Sequence, residues 1–211
     1  MKPTLCSCLP RPLLALLGLV AALKLAGCQS PPPTLAQHPA PPLARYVAEL
    51  RAARARQPQA ARYHGQLGIF VDLTRPDTEN RFFLLDLRTG RALVAAPCLN
   101  GRTDRQGRVR YSNEVNSNCS SRGLAWTSYA EAYPGRFGVA YRLHGLSAGT
   151  SNLAARTVVL HSWRHVPAAP VVAGRHPIQS WGCPALAPTR LAEVVQHLRR
   201  AGHHRVLVCL R

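Results

Sequence analysis

The chain has 211 residues, with 27 Lys+Arg against 9 Asp+Glu, a net charge of +18 that becomes +15 without Lys2, Arg11 and Lys24. That length suits one ordinary domain with extra segments at one end, and it is large enough to bury a real core. The basic charge favours polyanionic surroundings, but the arginines are scattered, no lysine follows Lys24, and neither zinc-finger spacing nor an aromatic RNA-binding signature is present, so nucleic acid is set aside as a partner.

In chain order, Lys2 and Arg11 precede an apolar run of eleven, Leu13 to Leu23, which suits a secretory signal and is short of the roughly 20 residues needed to span a bilayer. Residues 1–27 are therefore expected to be an export signal. The run ends in Leu25-Ala26-Gly27-Cys28, which resembles the lipobox of bacterial lipoproteins. That resemblance implies a lipid on the Cys28 thiol and a membrane anchor. A plain signal peptide, with Lys24 beside the box, is the alternative. Gln29 and Ser30 stand where an aspartate would retain the lipoprotein in the inner membrane, so the resemblance implies the periplasmic face of the outer membrane.

Residues 28–42 are rich in proline and alanine, with Pro31-Pro32-Pro33, Pro39, Pro41 and Pro42, and read as an extended spacer. A helix and connector are expected over 43–64, with Leu43, Tyr46, Val47 and Leu50 on one stripe of a helix ending at Gln57. From 65 to 211 the pattern becomes mainly β with a few helices, an α+β class. Gly68–Leu73, Arg81–Leu87 and Ala92–Ala96, separated by turn residues, predict a meander of antiparallel strands. Phe137–Leu143 and Thr157–Leu160 continue it. Leu191, Val194, Val195 and Leu198 set a helix over Thr189–Ala201, followed by a strand over Arg205–Leu210.

The chemistry concentrates in Ser180-Trp181-Gly182-Cys183-Pro184-Ala185-Leu186 and, 22 positions upstream of the thiol, His161 at the end of an apolar run. A thiol is mostly protonated at neutral pH, and an imidazole within reach can take its proton, so Cys183 and His161 are the candidate nucleophile and base, a pairing the sequence permits without proving. Gly182 lets backbone approach a substrate, and the amides around Gly182 and Cys183 are candidate oxyanion donors; Pro184 has none to offer. The intervening stretch, with Pro167, Pro170, Gly174 and Pro177, reads as a loop able to fold over the site.

Together with Leu160-His161, Tyr111-Ser112-Asn113, Ser120-Ser121-Arg122-Gly123 and Leu143-His144-Gly145-Leu146, that segment resembles the murein L,D-transpeptidase catalytic domain, in its YkuD-related branch, from about Phe82 to the final strand. The resemblance implies a β-sandwich or barrel with an N-terminal helix and a C-terminal helix and strand. It also implies attack by Cys183 on a peptidoglycan tetrapeptide stem, loss of D-alanine, a thioester, and a 3→3 cross-link to a second stem. His161 would be the base, Ser162 would orient its ring, and Arg156, Asn113 and Trp181 would contact substrate. Asn152 sits at a matching position too. Arg156 is equally readable as a structural ion-pair partner. Arg122 stands where leucine is expected, Ala96-Pro97-Cys98 where a His-Gly pair is common, and Trp181 and Pro184-Ala185 flank the Gly-Cys pair in place of polar residues. Contacts from the wider superfamily are therefore not carried over.

No cofactor or metal is expected. His161 and His165 fall on strand and loop, and His203-His204 lack an acidic companion. His144 reads as a strand-end residue, and Trp126, Trp163 and Trp181 as core anchors or, for the last two, groove walls. Cys98, Cys119 and Cys209 remain once Cys6, Cys8, Cys28 and Cys183 are assigned, and a Cys98–Cys119 bridge is one reading of an oxidising compartment. Peptidoglycan stem peptides are the expected partner, and the sequence leaves the oligomeric state open. Two other functions share the pattern: a carboxypeptidase or amidase-type hydrolase of the same fold, and a non-catalytic basic lipoprotein that binds the wall.

Overall fold

The computed structural model describes residues 40–136, 138–171 and 179–211. The export signal, Cys28, nearly all of the spacer, Phe137 and part of the proline-containing loop lie outside them.

Helix α1 runs from Leu43 to Ala55, and its buried side chains Tyr46, Val47, Leu50 and Ala53 follow the helical repeat. They pack on Phe70, Phe83, Leu85, Leu87 and Leu207. Tyr46 stacks on Phe70 at 4.0 Å between ring centroids, and its hydroxyl donates to Asp72 Oδ2 at 2.5 Å. Each of the larger side chains on this stripe contributes about 1.5–3 kcal/mol by burial.

Strands β1 (Tyr63–Val71), β2 (Phe82–Asp86) and β3 (Ala92–Ala96) form the expected antiparallel meander. It belongs to a larger mixed sheet, ordered β3-β2-β1-β10-β4-β7, in which β10 (Arg205–Leu210) runs parallel to β1 and antiparallel to β4 (Gly123–Thr127). The short β7 (His144–Gly145) completes its edge. A second sheet has the order β5-β6-β8-β9, from β5 (Ala132–Gly135), β6 (Gly138–Arg142), β8 (Val159–Ser162) and β9 (Ala185–Leu186). The two sheets are open, so the barrel among the expected architectures is not formed.

Successive residues of the central strands face different cores, which explains why those strands read as unbroken apolar runs. Phe70, Phe83, Leu85 and Leu207 lie under α1, whereas Ile69, Val71, Phe82, Leu84, Val206 and Val208 join the main core. The second helix, α2 (Pro188–Ala201), contributes Leu191, Val194, Leu198 and Ala201 to that core. Tyr141, Leu160 and Leu186 bring the second sheet into it.

Strands β4, β5, β7 and β9 had no signal in the sequence: the first three carry glycine, proline or a lone aromatic instead of an apolar repeat, and β9 is only two residues long. Strand β1 begins earlier than expected, at Tyr63, with an irregularity before Gly68. The Cys98–Cys119 bridge is corrected, since Cys98, Cys119, Cys183 and Cys209 are all free thiols. Cys98 is sealed in the main core, where burial pushes its thiol up to about 12, and the Cys119 thiol turns to the Ser117 carbonyl in its own loop.

Candidate active site

The parallel pairing of β8 with β9 sets His161 opposite Ala185, two residues beyond Cys183, and the His161 amide donates to Pro184 O at 3.3 Å. Val159 precedes His161 by two on the same strand, so their side chains share a face. Over that strand sits the sulfur: the Val159 amide donates to Cys183 Sγ at 3.5 Å, and the thiol faces Thr157 O at 3.8 Å. Cys183 and His161 both open onto one cleft of about 490 Å³, lined also by Tyr133, Arg136, Val159, Trp163 and Trp181. Trp181, 75 % exposed, stands at its rim.

His161 is 8 % exposed, and its Nδ1 lies 2.9 Å from the backbone carbonyl of Ser162. A carbonyl can only accept, so the neutral ring carries its proton on Nδ1 and Nε2 is the basic nitrogen. Burial pulls the His161 imidazole below its ordinary value, against the Ser162 carbonyl. Burial pushes the Cys183 thiol up, opposed by the Val159 amide and the Arg156 charge. Both shifts favour neutral partners, so the resting pair is thiol and imidazole, not thiolate and imidazolium.

The turn before the sulfur is built tightly. The Ser180 amide donates to Asn100 O at 2.8 Å, and the Gly182 amide donates to Ser180 Oγ at 3.2 Å. With the Gly182 amide so engaged, Cys183 supplies the candidate oxyanion donor of this pair. Gly182 has φ +103, and a Cβ there would collide with the backbone oxygen of Cys119. Its missing side chain makes room for a neighbouring carbonyl at the back of the turn.

Arg156 holds that carbonyl. Its guanidinium donates to Cys119 O at 2.5 Å, to Ser121 Oγ at 2.5 Å and to Ser112 O at 2.8 Å. Most of the fork is thus engaged inside the protein, in a geometry lysine cannot copy, and its acceptors are neutral oxygens, not an ion-pair partner. Asn113 donates through Nδ2 to Ala148 O and Ser151 Oγ, both at 2.8 Å, and its Oδ1 accepts from the Asn152 amide at 3.1 Å. The Asn152 side chain returns a bond to Asn113 O at 2.9 Å. These contacts lace the 111–122 loop to the 148–157 turn behind the cleft.

Thr157, expected to open a strand, is instead a turn residue ahead of β8, which begins at Val159. This β-branched residue has φ +51, which strains the backbone, and its carbonyl meets the sulfur. Ser180 and Val159 were missed, since each acts through a backbone group or a local turn. His144 does not line the cleft; it pairs with Glu131 at 2.7 Å and stacks on Trp126 at 4.2 Å. His204 bonds to Ala201 O and meets His64 edge-on. Among the described residues no three His, Cys, Asp or Glu side chains gather as a metal site requires.

Comparison with known proteins adds a family. The model of the L,D-transpeptidase catalytic domain matches residues 43–205. A crystal structure of a mutant of the helical cell shape determining protein Pgp2 from Campylobacter jejuni aligns at TM-score 0.44 and 12 % identity, covering 71 % of this chain and 48 % of that one. The chain thus spans about half the length of that protein. No curated protein matches.

Proposed function

The chain belongs to the L,D-transpeptidase catalytic domain family, and from that premise we propose that it is a cell-wall enzyme that acylates Cys183 with a peptidoglycan tetrapeptide stem and transfers the acyl group to a second stem. One observation carries the reading: the Cys183 sulfur and the His161 ring open onto one cleft, with Nδ1 of the ring tied to the Ser162 carbonyl.

The chemistry follows from the neutral pair. His161 Nε2 takes the thiol proton as Sγ attacks the carbonyl of the bond to the terminal D-alanine. The new C–S bond pushes the carbonyl electrons onto oxygen, where the Cys183 amide lies as a donor. On collapse the C–N bond breaks, the imidazolium gives its proton to the departing amine, and a thioester remains. An acceptor amine then loses a proton to His161, attacks the thioester and restores the thiol. In this reading Arg156 and Asn113 brace the loops around Cys183, and Trp181 walls the groove where the stem enters. The lipobox at Cys28 would tether the enzyme to the membrane facing the wall.

Incubation with tetrapeptide muropeptides tests it. Intact mass should show an acyl adduct on the wild-type chain, none on Cys183→Ala, and formation slowed about 10²–10⁴-fold by His161→Ala. New 3→3 dimers mean a transferase, whereas shortened monomers mean a hydrolase in which water takes the acyl group. If no adduct forms and no muropeptide changes, the proposed catalysis is refuted. Mass analysis of the mature N-terminus decides the lipid on Cys28.

A further inference from the structure

A larger cavity, about 740 Å³, adjoins the cleft of Cys183 and has no part in the chemistry above. Its walls come from the Leu73–Asp77 loop, Arg81, Asn100, the Gly107–Val109 segment and Tyr111. Gln179 lines both this cavity and the cleft, and its Nε2 donates to Thr103 Oγ1 at 2.8 Å where the two adjoin.

Among the described residues, the cavity wall contains a buried charge that no carboxylate contacts. Arg81 is 2 % exposed, and its guanidinium donates only to neutral oxygens: Leu73 O at 2.7 Å, Asn100 Oδ1 at 2.8 Å and Cys98 O at 3.4 Å. Its Nε is buried with no partner among those residues. Arginine stays protonated in proteins, and a buried charge is costly unless an opposite charge answers it. A second orphan stands beside it: the Tyr111 hydroxyl is also buried with no described hydrogen-bond partner. Tyr111 and Arg81 lie close enough to feel one another electrostatically. The carboxylates near Arg81 do not supply the missing partner. Asp72 is committed to Tyr46 and Thr74, and Asp77, which lines the cavity, makes no ion pair with Arg81. Arg75 and Arg108 also border the cavity, each bonded to an acid of its own, Glu79 and Asp104. Arg81 and Tyr111 thus both line a void with room for several heavy atoms, and each keeps an unpaired polar atom closed off within its wall.

We propose that this cavity is an anion subsite that takes a carboxylate of the peptide held in the Cys183 cleft, with the Arg81 guanidinium and the Tyr111 hydroxyl as its donors. The identity of the peptide rests on the function proposed above; the anion site itself does not. A carboxylate offers acceptors to both orphans and cancels the buried charge, and it enters past Gln179 from the side where the stem would lie. Asp77 is the internal competitor: its negative charge in the same cavity weakens any anion that binds there.

The test is calorimetric titration of the full chain carrying Cys183→Ala, which cannot turn over, with a tetrapeptide stem whose carboxylates are free or amidated, and separately with inorganic phosphate. Amidation should weaken binding about tenfold or more, the size of a lost hydrogen bond to a charged group. Tyr111→Phe should remove about tenfold from the free peptide and nothing from the amidated one. Asp77→Asn should tighten the free peptide alone. Arg81→Met removes three structural bonds and can unfold the chain, so the decisive variant is Tyr111→Phe, which deletes a single oxygen.

Equal affinity for both peptides, or an equal loss for both in Tyr111→Phe, overturns the subsite. Phosphate binding without peptide discrimination overturns its assignment to the peptide. The two proposals fail separately: amidation-sensitive binding without acylation of the wild-type thiol keeps the subsite and refutes the enzyme, while acylation indifferent to amidation does the reverse.

Discussion

Replacing Gly182 by alanine makes two separable demands on the structure. At φ +103 an L-residue pays for its Cβ, at roughly the 1–2 kcal/mol of other left-handed conformations. The Cβ would also press into Cys119 O and stand 2.9 Å from Arg156 Nη2. The first contact is backbone, already pulled inward by the guanidinium, so relief requires moving the 119–121 loop or the nucleophile turn, at about 1–3 kcal/mol as for other overpacking. Together these give about 2–5 kcal/mol. For a chain of this size each kcal/mol lowers Tm by roughly 2–4 °C, so a fall of about 4–20 °C is expected. Gly90→Ala is the control, because Gly90 has φ +78 and nothing within 4 Å of the place its Cβ would take. It bears the conformational cost alone. Thermal unfolding of the three proteins, followed by near-UV circular dichroism, isolates the clash as the difference between the variants. Acylation of Cys183 should fall in Gly182→Ala and stay unchanged in Gly90→Ala. If the two variants melt within about 1 °C of each other, or Gly182→Ala acylates normally, the close packing argued for this turn is wrong.

Two further outcomes follow from the same site. Burial raises the Cys183 thiol above its ordinary 9.0 and lowers His161 below its ordinary 6.5, so alkylation by iodoacetamide should be slow at pH 7 and still climbing at pH 9, whereas a preformed thiolate–imidazolium pair would react at a constant rate from acid pH upward. Enzymatic acylation, which needs neutral His161, should fall off on the acid side only below pH 6.5. The depressed His161 also makes the unfolded chain the better proton acceptor near its ordinary value, so this residue's effect is a loss of stability as pH falls through that range. Thr157→Gly relieves backbone strain of about 1–3 kcal/mol and adds about 0.5–1 kcal/mol of unfolded-state entropy, so a net stabilisation near 1 kcal/mol should appear in the urea midpoint, with alkylation unchanged because it is the carbonyl of this exposed residue that meets the sulfur. A lowered midpoint would show that Thr157 is not strained.

The sequence displayed those parts of the fold in which side-chain periodicity is strong. The α1 stripe, the β1–β3 meander, α2 and β10 all bury apolar residues at regular spacing, and β3 and β10 fall on the expected bounds. Half of the second sheet escaped: β6 and β8 fall on the expected Phe137–Leu143 and Thr157–Leu160 runs, whereas β5 and β9 are held by pairing instead of composition, Ala185-Leu186 lying alongside β8. At the candidate site, Cys183 and His161 stood out because their chemistry is rare, and the cleft they share is a property of coordinates alone. Arg156 read equally well as a carboxylate clamp or an ion-pair partner, and only its three bonds to loop oxygens reveal a brace. Arg81 gave no sign at all, since a lone arginine before Phe82 looks like any strand-end charge until its burial is seen.

The parallel seam between β1 and β10 has a kinetic corollary. Tyr63 meets Arg205 and Val71 meets Leu210, partners well over a hundred residues apart. Until that distant ladder zips, β1–β3 and β4–β7 are two half-sheets with naked inner edges, each a template for illicit association. Assembly of this domain should therefore be slow, as high contact order dictates, and most vulnerable to aggregation in the interval before β10 slots between them.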